Sequence, residues 1–208
     1  MGATGSRKRG RPPVHQRSDL LDAAARTVVQ RGYAGLRYQD VSRASGVAVA
    51  SLRHYFPTLD LLRREALEHA VRVELAQMRA GLAEIEDPWE QLRWHVVATI
   101  DLDMDSRREG WLLWLEYWRA AAHEPALATD TEEVQQAWVD LVQESIDAGV
   151  AAGRFHLDQT APEAAREFCA LMDGFGMWLV VEHPEQRARD AIASVERAAL
   201  RMLGLGGR

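Results

Sequence analysis

Gly32-Tyr33-Ala34-Gly35-Leu36-Arg37-Tyr38-Gln39-Asp40-Val41, then Ser42-Arg43-Ala44-Ser45-Gly46-Val47, then Ala48-Val49-Ala50-Ser51-Leu52-Arg53-His54-Tyr55-Phe56-Pro57, is the stretch on which the reading of this chain turns. Upstream of it, Ser18 or Asp19 caps a helix that carries Leu21, Ala24, Ala25 and Val28 at i, i+3, i+4 and i+7 and stops at Gly32. A second, short helix is expected from Arg37 to Ala44, broken by Ser45-Gly46. Ala48 to Tyr55 then makes a third helix of barely two turns. Pro57 cannot continue it, and Thr58 offers a cap for a long helix running to about Glu84. A small residue at Ser42, the turn glycine Gly46, and apolar anchors at Val41, Val47 and Leu52 give the spacing of a helix-turn-helix. That geometry serves to push the third helix into a major groove about 12 Å wide. Small-plus-glycine spacing also arises in other helical proteins, so spacing by itself leaves the function open.

Charge narrows it. Residues 1–64 hold Lys8 and eleven arginines against four acids, a net of +8; the remaining 144 residues hold 13 basic and 27 acidic side chains, a net of −14. Such a basic head on an acidic body is expected to meet a polyanion through the head alone, nucleic acid or an anionic membrane surface. The chain of 208 residues is 47% apolar and 27% charged, enough to bury a core. Its one cysteine excludes an internal disulfide framework and any multi-cysteine metal site. The longest apolar run, Met177 to Val181, is too short for a membrane span, and no apolar stretch follows the basic N-terminus before Leu20-Leu21. A soluble, cytoplasmic protein without membrane partner is expected. No Gly-x-Ser-x-Gly elbow, P-loop or His-Glu-x-x-His is present, so neither enzymatic activity nor a cofactor or metal is expected. Cys169 reads as a small buried hydrophobe.

At the level of these motifs, residues 32–41, Ala44-Ser45-Gly46-Val47, Ser51-Leu52-Arg53-His54-Tyr55-Phe56-Pro57-Thr58 and the leucines at 61 and 62 resemble the N-terminal domain of the tetracycline-repressor (TetR) family. The resemblance covers about residues 16–64. It implies an all-α fold of about nine helices, with a basic arm over 1–15, a helix-turn-helix DNA-binding domain over 16–64 and a ligand-binding and dimerisation body over 65–208. By family position Ala48, Val49, Ala50, Ser51, Arg53 and His54 would face base edges, while Arg37 and Tyr55 would hold phosphates. Leu52 and Phe56 belong to the core. The chain departs from the family pattern where Leu36-Arg37 replace a hydroxyl pair, Arg53 replaces an aromatic and Leu59 replaces a lysine. Arg37 and Arg53 would restore lost phosphate contacts, or Arg53 would read guanine through its two-pronged guanidinium. Before the first helix, Arg9-Gly10-Arg11-Pro12 is like the core of an AT-hook, with Arg9 and Arg11 on a minor-groove floor; a basic tail attracted to phosphates is the alternative.

Beyond Pro88 the pattern is helical, with segments near 88–104, 107–122, 126–152, 162–182 and 185–203 and no strand alternation. All seven tryptophans lie in this body, and Trp111, Trp114 and Trp118 share one helix face. They read either as a core stripe or, as the resemblance implies, as walls of an effector cavity drawn from Trp94, Trp114, Tyr117, Trp118 and Trp138. Such a cavity would suit a small apolar or aromatic effector; Asp101, Asp103 and Glu116, near that region, read either as solvated face residues or as partners for a cationic ligand. Phe168, Leu171, Met172, Phe175 and Leu179 run at helical spacing, and Gly174 and Gly176 interrupt them where glycine suggests close approach of another backbone. With Ile192 and Val195 they make the expected homodimer interface. The partners expected are double-stranded operator DNA, a second copy of the chain and a small effector. An effector-independent regulator, or a helical binding protein whose head docks on another protein, remains compatible with the sequence.

Overall fold

Thr58 caps a long helix as its residue type suggests: its Oγ1 accepts from the Leu61 N–H at 3.2 Å, and the helix then runs unbroken from Leu59 to Ala83. In the computed structural model, which describes residues 17–100, 105–182 and 185–205, the order is α1 (Arg17–Arg31), α2 (Tyr38–Ser45), α3 (Val49–Tyr55), α4 (Leu59–Ala83), α5 (Pro88–Ile100), α6 (Asp105–Ala121), α7 (Pro125–Ala151), α8 (Ala161–Glu182) and α9 (Glu185–Met202). The described residues are all-helical, as expected. Helix ends differ from the sequence reading by one or two residues except at α5, where the expected end near 104 falls in a segment outside the described residues.

The head is built by apolar faces converging from four helices. Leu20, Leu21, Ala24 and Val28 of α1, Val41 of α2, Leu52 of α3 and Leu62, Ala66 and Leu67 of α4 are all buried together. Each large aliphatic among them contributes about 1.5–3 kcal/mol by leaving water. Two positive-φ glycines set the turns: Gly32 at +74° ends α1, and Gly46 at +73° ends α2 while its N–H bonds the Ser42 carbonyl at 2.9 Å. That places a residue without Cβ where an L side chain would be strained.

The body packs α7 along α8, with α5 and α9 completing a core of Leu92, Val96, Ile100, Val142, Ile146, Phe168 and Val195. The head's core does not stop at the head. It continues through Val71 of α4 into Trp111, Trp114 and Tyr117 of α6. At its other end α4 buries Met78 and Leu82 against Ala98 and Leu141 of the body. The head is therefore held by two body-reaching helices, α4 along α1 and α6 against α1.

Candidate DNA-facing helix and effector cavity

α3 divides sharply between core and solvent. Leu52 and Phe56 are buried, Val49 and Tyr55 half-buried, and Ala48, Ala50, Ser51, Arg53 and His54 exposed. Its C-terminal end is fastened from two sides: the Tyr38 hydroxyl donates to the Phe56 carbonyl at 2.6 Å, and Arg17 donates to the Tyr55 carbonyl at 2.9 Å. Arg17 also lies 4.4 Å from the centroid of the Phe56 ring and donates to both oxygens of Glu65 on α4, at 2.7 and 3.1 Å. The exposed row is thus carried on a clamped helix, which is what geometric recognition requires. Arg53 sits 5.4 Å from the Tyr38 ring centroid and, among the described residues, forms no ion pair, so its guanidinium stays available. Arg37 is also exposed, but its guanidinium donates to the Ala34 and Leu36 carbonyls at 2.7 and 2.9 Å. Arg63 donates to the same two oxygens at 2.9 and 3.0 Å. Arg37 therefore clasps the turn that precedes α2. Arg9 and Arg11 lie outside the described residues.

In the body the tryptophans enclose a cavity. Trp111, Trp114 and Trp118 of α6 and Trp138 of α7 line it, with Trp114 at its centre: ring centroids lie 5.6 Å from Trp118 and 6.2 Å from Trp138. The space within it is small, about 50 Å³ open to the centre of a water-sized sphere. Its polar residues come from four different helices: Glu74 of α4, His95 and Thr99 of α5, Gln135 of α7 and Asp173 of α8. Glu74 accepts from the Trp114 indole N–H at 2.8 Å, and the Trp111 N–H is spent on the Thr99 carbonyl at 2.8 Å. Burial pushes the Asp173 carboxyl up to about 6, with the Gln135 amide donating to it at 3.4 Å in partial compensation. Burial alone pulls the His95 imidazole down to about 4, so it is neutral near pH 7.

Of the five ligand residues expected from sequence, Trp114, Trp118 and Trp138 line the cavity, and Trp94 and Tyr117 do not. Trp94 lies over Gly81 of α4, where a Cβ would collide with the indole, and Tyr117 is fully buried beside Trp114. Sequence reasoning missed Glu74, His95, Thr99, Gln135 and Asp173, because polar residues scattered over four separate helices leave no local motif. Asp101 and Asp103 lie outside the described residues. Glu116 faces away from the cavity, and its place is informative. Its carboxylate accepts from the Tyr33 backbone N–H at 2.6 Å, beside the Gly32 turn, and is paired with Arg119 at 3.0 Å. The Tyr33 hydroxyl donates to Glu124, at the start of α7, at 3.0 Å, and burial pushes its pKa up. One face of α6 lines the cavity and the other grips the end of α1.

The expected dimer residues also separate. Phe168, Met172 and Val195 are buried within the chain's own core, and Met172 lines the cavity, so none offers surface to a second copy. Leu171, Phe175 and Ile192 are half-buried; the side chain of Leu179 lies outside the described residues. Gly176 is small to admit the Trp111 indole, whereas Gly174 is exposed with no atom of its own chain within 4 Å of an added Cβ. Cys169 is buried, as expected, and its thiol is pushed up to about 12. Among the described residues no cluster of His, Cys, Asp or Glu could hold a metal ion, and no helix is long and apolar enough to cross a membrane.

Residues 20–66 match the family of bacterial regulatory proteins of the tetR type, and residues 88–204 match the C-terminal domain of BetI-type transcriptional repressors. The HTH-type transcriptional regulator BetI of Burkholderia cenocepacia is 28% identical over 166 residues, covering 79% of this chain and 80% of that protein. BetI of Stenotrophomonas maltophilia is 31% identical over 126 residues, 58% of this chain and 61% of its own. A regulator from Saccharomonospora viridis, solved in complex with choline, superposes with a TM-score of 0.78 at 24% identity, over 89% of this chain and 95% of that one. A TetR regulator from Haloarcula marismortui gives 0.77 at 19% identity, over 89% and 96%. With a presented third helix in the head and a family match across most of the body, the chain belongs to the TetR family of DNA-binding transcriptional regulators, its C-terminal body of the BetI type.

Proposed function

We propose that this regulator is a repressor that binds a palindromic operator as a homodimer and is released by a small onium cation. The observation that carries the ligand class is the cavity: four indoles around a space that also receives Glu74 and Asp173. Indole faces attract cations by about 0.5–2 kcal/mol each, and two carboxylates give the charge a counter-ion. A purely apolar or aromatic effector would draw nothing from either carboxylate. The choline bound to the Saccharomonospora viridis regulator, which shares this fold, supports the same chemistry.

Residues 16–64 serve as the DNA-binding unit, residues 65–208 as the effector and dimer unit, and the arm over 1–15 adds basic charge. Ala48, Val49, Ala50, Ser51, Arg53 and His54 meet base edges, and Tyr55 and Arg37 meet phosphates. The dimer forms through α8 and α9. Its surface is the face bearing Ala170, Gly174 and Trp178, the last 65% exposed, flanked by Leu171, Phe175 and Ile192. Two-fold symmetry then sets two α3 helices about one DNA turn apart. Effector and operator favour different spacings of the heads, so each weakens the other reciprocally. Transmission runs through α6, which touches ligand with its tryptophans and the head with Glu116, and through α4, which carries Glu74 and packs along α1.

Selection of bound duplexes from random DNA tests the reading. A two-fold-symmetric sequence is expected, with affinity falling steeply with salt and falling again when tetramethylammonium or choline is added at constant ionic strength. Equal binding to the selected duplex and to a scrambled one overturns the operator reading; no response to either cation overturns the effector reading.

A further inference from the structure

Several arginines of the head are taken up by acids or by backbone oxygens: Arg17 by Glu65, Arg31 and Arg43 by Asp40, Arg63 by Asp60, and Arg37 by the turn before α2. Arg53 on α3 is held differently. Its guanidinium carbon lies over the Tyr38 ring, 5.4 Å from the centroid, inside the distance of about 6 Å at which a ring face attracts a cation. The ring is itself fixed at both ends. Tyr38 is the first residue of α2, and its hydroxyl donates at 2.6 Å to the Phe56 carbonyl, just past the end of α3. It is 9% exposed, so the ring belongs to the head's core while Arg53 above it faces solvent.

We infer that Tyr38 is a positioning residue of the DNA-reading surface: its ring holds the Arg53 guanidinium in the pose that discriminates a base pair, so a residue in the core sets part of the operator specificity. The inference rests on the reading above that Arg53 meets a base edge. A long, unrestrained arginine loses rotamer freedom when it binds, and it also swings readily to the nearest phosphate, a contact that carries no sequence information. A carboxylate would hold the guanidinium too. It would also occupy the N–H donors that the guanine O6/N7 edge needs, and it would repel the DNA backbone. A ring face restrains the guanidinium without using any of its five N–H donors and without cancelling its charge. The hydroxyl bond to Phe56 ties that platform to the end of the helix that carries Arg53, so platform and reader keep one geometry.

The full-length protein and its Arg53→Ala, Tyr38→Leu, Tyr38→Met and Tyr38→Phe variants are titrated with the selected duplex and with duplexes carrying each single base-pair change. Arg53→Ala identifies the base pair at which discrimination disappears. At that pair Tyr38→Leu and Tyr38→Met are expected to reduce discrimination about three- to tenfold, the cost of ordering one long side chain on binding. Preferences at the other pairs and the salt dependence are expected to stay, because no phosphate contact is lost. Tyr38→Phe keeps the ring face and should retain the discrimination within about twofold. Once Arg53 is alanine, adding Tyr38→Leu should change no preference further. Two ring-free replacements of different shape, each checked by thermal melting, keep one poorly folding variant from deciding the outcome. A fall in affinity by the same factor on every duplex in both would make Tyr38 a brace of α3 and overturn the inference. So would a loss in Tyr38→Phe as large as in the other two, which assigns the effect to the hydroxyl. Discrimination erased by Arg53→Ala but untouched in all three Tyr38 variants overturns the platform and leaves the base reading standing. An equal loss on every duplex in Arg53→Ala overturns the base reading, and this inference with it.

Discussion

Arg53 shows how far a single residue could be read ahead of its surroundings. Its place in the recognition segment was evident from sequence, and the structure leaves its guanidinium exposed and without an ion pair among the described residues. Arg53→Ala is expected to weaken operator binding by about 1–3 kcal/mol if the guanidinium reads guanine, measured by titration of the selected duplex. An equal loss on random DNA would assign it to phosphate. Arg37 was less legible, because the carbonyls it clasps belong to a turn whose shape no spacing rule supplies. Asp173 was not legible at all, since its chemistry exists only once α7 and α8 close around it. Its carboxyl is pushed up to about 6 by burial, so it ionises as pH rises through that value. A cation binds the ionised form, so effector affinity should climb with pH up to about 6 and level off above it. Asp173 shares the cavity with Cys169, pushed up to about 12, and with His95, which stays neutral above about 4. Neither of these titrates between pH 5 and 8. Asp173→Asn should flatten the profile; calorimetry from pH 5 to 8 reads the difference, and an unchanged slope would remove Asp173 from the cation's surroundings.

Among the elements, α6 was read correctly as a helix and incompletely as a device. The spacing of Trp111, Trp114 and Trp118 fixes one face, and a hydrophobic stripe is visible without coordinates. The opposite face carries Glu116, an acid that looks like a solvated residue until the Gly32 turn is brought to it. Helix periodicity tells which residues share a face; it does not tell what lies across from that face. The long α4 was legible for the converse reason, since Thr58 and the absence of any later breaker are local features. If α6 carries the ligand's effect to the head, Glu116→Ala should leave effector affinity within about twofold while sharply reducing the fold by which effector weakens operator binding. Intrinsic tryptophan fluorescence follows the first quantity and a DNA titration with and without effector the second. Undiminished coupling would leave α4 as the sole route.

For the whole molecule, the proposed dimer surface was the part least available to pattern reading, because one helical stripe holds both residues of the chain's own core and residues left outside it. Phe168 and Met172 alternate along α8 with Leu171, Phe175 and the exposed Trp178, and all are apolar, so composition cannot say which face turns inward. The division becomes clear only when Trp111 is seen to occupy the notch at Gly176, leaving Gly174 and Trp178 on the outer side. A large indole left 65% exposed beside a bare glycine is what a partner helix would cover. Trp178→Glu places a charge at that position without touching the cavity or α3, so light scattering should report the mass of one chain while tetramethylammonium binding persists. Operator affinity should fall by about a hundredfold or more, because a linked pair of heads binds its second half-site at an effective concentration that a lone head lacks. A variant that keeps both its dimeric mass and its operator affinity would move the two-fold axis elsewhere on the body. Loss of operator affinity at unchanged dimeric mass would instead mean that α8 sets the spacing of the heads without holding the subunits together.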